Sequence, residues 1–173
     1  NKCVNMINSF KQYFFSHNQE CYENPSPGNH DGGITTLEEK SLGCIQKGGK
    51  AVITDVLEYG EHCKKQGLNL LTGPGNDIVS TTNLTAAGAN IILFTTGRGT
   101  PLGASVPTIK VASNSRLAKR IDFNAGELIE SNDFENMTEE IFKLLIDIAS
   151  GRQTKNEQNG YRDISIFKDG VIM

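Results

Sequence analysis

Residues 69–114 read NLLTGPGNDIVSTTNLTAAGANIILFTTGRGTPLGASVPTIKVASN, and this stretch decides the fold. An apolar run at Leu68, Leu70 and Leu71 ends in Gly73-Pro74-Gly75-Asn76, and a helical pattern follows over 77–87. A second apolar run, 91–94, ends in Thr95-Thr96-Gly97-Arg98-Gly99-Thr100-Pro101-Leu102-Gly103, and a third, 109–112, ends at Asn114. Short β-like runs that alternate with helical segments and end in polar, glycine-rich loops predict an α/β fold. The expected architecture is a three-layer Rossmann-like domain whose mainly parallel central sheet includes 68–71, 91–94 and 109–112. Its functional loops should leave the carboxyl ends of the strands, both glycine loops at the same sheet edge.

The two loops differ in the chemistry they offer. Gly73, Pro74 and Gly75 open a helix whose first turn exposes unpaired N–H groups and the positive end of the dipole, a seat for a carboxylate or phosphate, with Asn76 or Asp77 as cap. The same glycines also serve an ordinary strand-to-helix turn. No Lys-Ser/Thr follows and the three spaced glycines of dinucleotide sites are absent, so nucleotide binding has little support. In the second loop Arg98 stands between Gly97 and Gly99, flanked by Thr95, Thr96 and Thr100. Its planar fork can grip a carboxylate in a bidentate pair, and nearby hydroxyls suit a polyol. Alternatively, Arg98 is a surface charge in a turn.

Upstream, Val4, Ile7, Phe10, Phe14 and Phe15 fall near helical spacing and predict an amphipathic helix within residues 1–20, facing the sheet or an interface. Residues 24–33 hold two prolines and three glycines and read as a loop, either a linker or a binding loop presenting Ser26 and Asn29 beside the other two. Thr35 and Thr36 stand ahead of Glu38 and Glu39 at capping-box spacing and open a helix that Gly48-Gly49 stops, with Leu37, Ser41, Cys44 and Ile45 facing inward. A strand is expected at 51–54. Tyr59-Gly60-Glu61-His62-Cys63 is poor as a metal site, because adjacent residues point in different directions.

Downstream, 116–120 suits a short helix, 121–124 a short strand, and 137–149 a helix with Met137, Ile141, Leu144, Leu145 and Ile148 on one face. Residues 152–173 read as an extension, irregular to 162, with Asp169-Gly170 as a hairpin turn between 165–167 and 171–172.

The 173 residues suit one domain with appended termini, and a net charge of -3 with dispersed basic residues argues against nucleic acid. Every apolar run falls far short of the ~20 residues that cross a bilayer, and no signal segment opens the chain, so a membrane role is not expected. The chain starts at Asn1, as a fragment of something longer would. Cys3, Cys21, Cys44 and Cys63 lack the close spacing of zinc or redox motifs and read as free cytosolic thiols, although their even number permits disulfides.

Six blocks in order carry a resemblance along nearly the whole chain. They are residues 24–29, 32–43, Gly73-Pro74-Gly75-Asn76-Asp77, 94–101, Ile121-Asp122-Phe123-Asn124-Ala125-Gly126 and Asn159-Gly160-Tyr161-Arg162. Together they closely resemble the C-terminal part of the altronate dehydratase (altronate hydrolase) family, which includes galactarate dehydratase and a sulfolactate sulfo-lyase subunit. The resemblance implies the C-terminal domain of an iron-dependent (Fe2+) cytoplasmic hydro-lyase that converts D-altronate to 2-keto-3-deoxy-D-gluconate. It also implies a missing N-terminal portion as partner. The glycine-proline-glycine block and the 159–162 tail look more like altronate than galactarate enzymes.

Dehydrating a 2,3-dihydroxy acid needs a base, an acid or metal on the leaving oxygen, and positive charge on the carboxylate. The candidate catalytic residue is Arg98. Candidate substrate-binding residues are Ser26, Asn29, Gly73, Gly75, Asn76, Asp77, Thr96, Gly97, Arg98, Gly99, Thr100, Asn114 and Asn124. No metal ligands or base are visible, so both are expected in the missing portion and the isolated fragment is expected to be inactive. Homo-oligomerisation stays open. The competing readings are a non-catalytic small-anion-binding or scaffold domain, and the same domain of a galactarate dehydratase.

Overall fold

A computed structural model of the chain describes residues 2–19 and 25–170. Its contacts divide the chain into two compact units, residues 1–72 with 168–173 and residues 73–167. Mixed helices and parallel strands confirm the α/β class.

The first unit opens with α1 (Lys2–Ser16), the amphipathic helix anticipated from its spacing. Tyr13 and His17 tie it to the chain end: the Gly170 N–H donates to the Tyr13 hydroxyl at 2.8 Å, and His17 Nε2 lies 3.5 Å from Asp169. Val4, Ile7 and Phe15 are exposed. The short α2 (Pro27–Asp31) corrects the expectation of pure loop at 24–33. Proline is tolerated in the first helical turn because its missing N–H would have no partner there. Asn29 Oδ1 accepts from both the Ser26 N–H and the Ser26 hydroxyl. Asn24 and Cys21 lie outside the described residues.

In α3 (Leu37–Lys47) Thr36 accepts from the Glu39 N–H, while the Glu39 carboxylate accepts from the Thr35 and Thr36 N–H groups. That is the capping box read from the sequence. The inward face expected at Leu37, Ser41, Cys44 and Ile45 is not found: all four are exposed, Ile45 at 70%. Cys44 is therefore not a buried apolar group, and Cys3, Cys44 and Cys63 are free.

Next, β1 (Ile53–Leu57), begun later than expected, pairs in parallel with β2 (Leu68–Leu71). Asp55 on β1 bridges Lys65 at 2.9 Å and Lys2 at 3.0 Å, and these ammonium groups hold its carboxyl well below the usual range.

The second unit begins with α4 (Asp77–Ala86), whose cap is Asn76: its Oδ1 accepts from the Val79 N–H. Then β3 (Ile92–Thr96), β4 (Thr108–Ala112) and β5 (Phe123–Asn124) form a parallel sheet in the order β3-β4-β5. The single central sheet is thus corrected to two hydrogen-bonded sheets, since 68–71 pairs with β1 and not with β3 or β4. Apolar periodicity marks strands but leaves their partners open.

After β5 come α5 (Leu128–Ser131) and the long α6 (Phe134–Ala149), ended at Gly151 with φ 106°. Ile109 and Val111 on one face of β4 pack with Leu144 and Ile148 of α6, joined by Phe123, Ile141 and Leu145. Because side chains alternate along a strand, Thr108 and Lys110 face the opposite way. There they meet the 97–107 loop: Thr108 accepts from the Ala104 N–H, and Lys110 Nζ donates to the Thr100 carbonyl.

Residues 152–162, expected to be irregular, contain α7 (Lys155–Gln158). Thr154, fully buried, caps it by accepting from the Glu157 N–H, while Glu157 accepts from the Thr154 N–H. The hairpin does not form at its described half: Ser165, Ile166 and Phe167 are not a strand, and Val171 and Ile172 lie outside the described residues.

One glycine fixes the turn below β5. A Cβ on Gly126 would lie 2.6 Å from Asn114 Cα and 2.7 Å from the Ser115 nitrogen, both backbone atoms that cannot swing aside. Gly126→Ala should therefore cost about 1–3 kcal/mol. Urea unfolding checks this, and an unchanged midpoint would show that the turn relaxes freely.

Candidate functional site

Beyond β3 the chain runs Gly97-Arg98-Gly99-Thr100, and each member of that loop except one is tied down. The Gly99 N–H donates to Thr96 Oγ1 at 2.9 Å, and Asn114 Nδ2 donates to the Gly97 carbonyl at 2.7 Å. Gly99 has φ 79°, where a side chain would be strained. The Leu102 N–H reaches Thr100 Oγ1 at 3.3 Å, and Asn156 Nδ2 reaches the Leu102 carbonyl at 3.1 Å. The exception is the Arg98 guanidinium, which is exposed and has no polar partner among the described residues.

Arg98, Gly99 and Thr100 line a cavity of about 540 Å³ whose lining residues all belong to the second unit. Lys119 and Arg120, at the end of the 3-10 helix Ser115–Arg120, line it as well, with Leu117 and Ile121. Lys110 of β4 and Lys155, Asn156, Asn159 and Tyr161 also contribute to the lining. Among the described residues five cationic side chains line this space and no carboxylate does. Like Arg98, the Lys119 and Arg120 side chains have no partner among the described residues. Such a wall concentrates field lines on an anion.

Lys110 differs from the other four. It is 5% exposed, and its ammonium is spent on the Thr100 carbonyl. Burial pushes this ammonium below the ordinary lysine range, and the negative charge of Asp122 draws it part of the way back. Lys155 is half-buried, with Nζ donating to the Ile121 carbonyl and lying 3.3 Å and 3.4 Å from the carbonyls of Lys119 and Ala118.

The sequence candidates separate under this geometry. Thr96, Gly97, Arg98, Gly99, Thr100 and Asn114 belong to one connected loop system, and Arg98, Gly99 and Thr100 reach the cavity. Asn114 and Thr96 have structural work as ties. Asn124 uses its amide on Ser115, Glu127 and the Gly126 N–H and does not line the cavity. Gly73, Gly75, Asn76 and Asp77 lead into α4 in the same unit, also away from the lining. Ser26 and Asn29 are bonded to each other within the first unit.

Sequence reasoning missed Lys110, Lys119, Arg120, Lys155, Asn156 and Tyr161. One signal for Lys155 and Asn156 was available: Thr154 and Glu157 stand at capping-box spacing, so the helix start that carries them could have been read.

The iron that the resemblance implies does not fit the described residues. Among them no three His, Cys, Asp or Glu side chains are grouped to hold a metal ion, and the cavity is lined by cations that would repel one. Among the described residues no helix is long and apolar enough to cross a membrane.

Comparison with known proteins matches residues 1–172 to the family model described as D-galactarate/Altronate dehydratase, C-terminal. The chain is 54% identical to altronate dehydratase of Escherichia coli (strain K12) over 176 residues, covering 99% of this chain and 36% of that protein. Altronate dehydratase of Bacillus subtilis (strain 168) is 52% identical over 177 residues, with the same coverage, 99% and 36%. Galactarate dehydratase (L-threo-forming) of Escherichia coli (strain K12) is 40% identical over 157 residues, 86% of this chain and 30% of that protein. The chain therefore spans little more than a third of the length of the altronate dehydratases it matches. With residues 1–172 of its 173 matched by this family model, the chain belongs to the D-galactarate/altronate dehydratase family and corresponds to that family's C-terminal region.

Proposed function

We propose that this stretch is the substrate-carboxylate side of a hydro-lyase that dehydrates D-altronate to 2-keto-3-deoxy-D-gluconate. The observation that carries the reading is the cavity lined by five cations, three of them without a side-chain partner among the described residues. A sugar acid brings one carboxylate, and its charge spreads toward C1–C2 once the C2 proton has left. Arg98, held between pinned backbone segments, offers a planar donor pair to that developing enediolate. The C3–O bond then breaks, the departing hydroxide takes up a proton as water, and the enol becomes the 2-keto acid. Thr100 and Tyr161 on the lining supply hydroxyl contacts for the polyol chain.

The C2 base and the iron with its ligands belong, on this reading, to the portion of the full-length protein beyond this stretch. The altronate preference rests on identities of 54% and 52% against 40% for the galactarate enzyme. Steady-state dehydration assays on the full-length protein, with altronate and galactarate in parallel, test the reading. Higher kcat/KM for altronate, with no turnover by the isolated chain, is the expected result. Preference for galactarate would move the assignment to that enzyme, and no turnover of either acid would leave a non-catalytic anion-binding domain.

A further inference from the structure

Two lysines, not one, fasten the walls of the cavity, and both report to a single carboxylate. Lys110 Nζ holds the Thr100 carbonyl, two residues from Arg98. Lys155 Nζ holds the carbonyls of Ala118, Lys119 and Ile121, the segment that carries Lys119 and Arg120. Asp122 connects the two. Its Oδ2 accepts from the Lys110 N–H at 2.9 Å and its Oδ1 from the Lys155 N–H at 2.8 Å, while its own N–H returns to the Lys110 carbonyl at 3.1 Å. Asp122 does not itself line the cavity.

We infer that Asp122 is a positioning residue: by clamping the backbone of Lys110 and of Lys155 with its two carboxylate oxygens, it sets the spacing between the Arg98 wall and the Lys119–Arg120 wall. This rests on the reading of the cavity as the carboxylate site. A carboxylate is required because both backbone partners are donors, and each oxygen meets one of them. An amide at this place keeps one acceptor and turns an NH2 group toward the other N–H. One wall would then be released while the shape of the side chain is preserved. A misplacement of an ångström is enough to cost an enzyme heavily when catalysis depends on orientation.

The test is a kinetic cycle in the full-length enzyme with Asp122→Asn, Arg98→Ala and the double variant, using altronate as substrate and 3-deoxy-D-gluconate, which has no C3 hydroxyl to expel, as the competing acid. Asp122→Asn should raise KM for altronate and Ki for 3-deoxy-D-gluconate by on the order of tenfold, and its effect should shrink in the Arg98→Ala background. A merely structural role would lower the folded fraction, and with it the apparent kcat, at unchanged KM and Ki. That outcome overturns the inference, as does a double variant whose losses simply multiply. If Asp122→Asn fails to fold, Asp122→Glu, which keeps both acceptor oxygens but displaces them by a methylene from the Lys110 and Lys155 N–H groups, is expected to raise Ki in the same direction, and an unchanged Ki there also overturns it. The underlying reading fails separately, by Arg98→Ala leaving both KM and Ki untouched.

Discussion

Arg98→Ala in the full-length enzyme is expected to lower kcat/KM for altronate roughly 30- to 150-fold, or about 2–3 kcal/mol, with kcat falling as well as affinity. The lower part of the range for a lost ionic contact applies because the side chain is exposed, so water and salt screen part of its charge. The loss should appear in kcat because the charge it meets grows from a carboxylate into an enediolate. Folding should be unaffected, since no described residue depends on the guanidinium. Arg98→Lys should recover little, because an ammonium cannot reproduce the planar fork. Steady-state kinetics with circular dichroism decide it. Unchanged kinetics in a folded variant would reduce Arg98 to a surface charge in a turn.

The second large effect is expected at Lys110. Lys110→Met removes a buried charge of similar volume, so the relief of desolvation offsets the lost bond to the Thr100 carbonyl. Stability at neutral pH should therefore change little, while binding of sugar acids falls at least tenfold as the Arg98 loop loses its tie. The pH dependence has a definite sign. The folded-state pKa of Lys110 lies below the ordinary 10.5, so between the two values the unfolded chain binds more protons than the folded one. Stability contributed by this group rises with pH through that window. Thermal unfolding of wild type and Lys110→Met should show the wild type gaining relative to the variant as the pH climbs toward 10.5. A constant difference would contradict the burial of a charged ammonium.

Lys110 also marks the boundary of what the sequence could reveal. The run around it was read as a strand from Ile109 to Ala112, and β4 is there. A lysine inside such a run still reads as a solvent-facing residue, because its burial depends on the 97–107 loop folding back over the strand. The Arg98 loop was legible for a local reason: glycines on both sides of an arginine leave bare backbone around a fixed charge. The cap at Asn76 and the box at Thr36 and Glu39 were local too. What did not follow from local pattern was pairing and exposure. The strand 68–71 took β1 as its partner, and the apolar positions of α3 stand in solvent although their spacing suits burial. Thr154 and Glu157 were readable, yet the polar run that contains them obscured the helix start that presents Lys155 and Asn156.

The central claim is that the cationic cavity seats the substrate carboxylate. A crystal structure of the full-length protein with 3-deoxy-D-gluconate, an acid with no C3 hydroxyl to lose, tests it most directly. The expected result is the carboxylate within hydrogen-bonding reach of the Arg98 guanidinium, inside the space bounded by Thr100, Lys119 and Tyr161. A carboxylate held entirely by residues outside this stretch, with the cavity filled only by water, would contradict it.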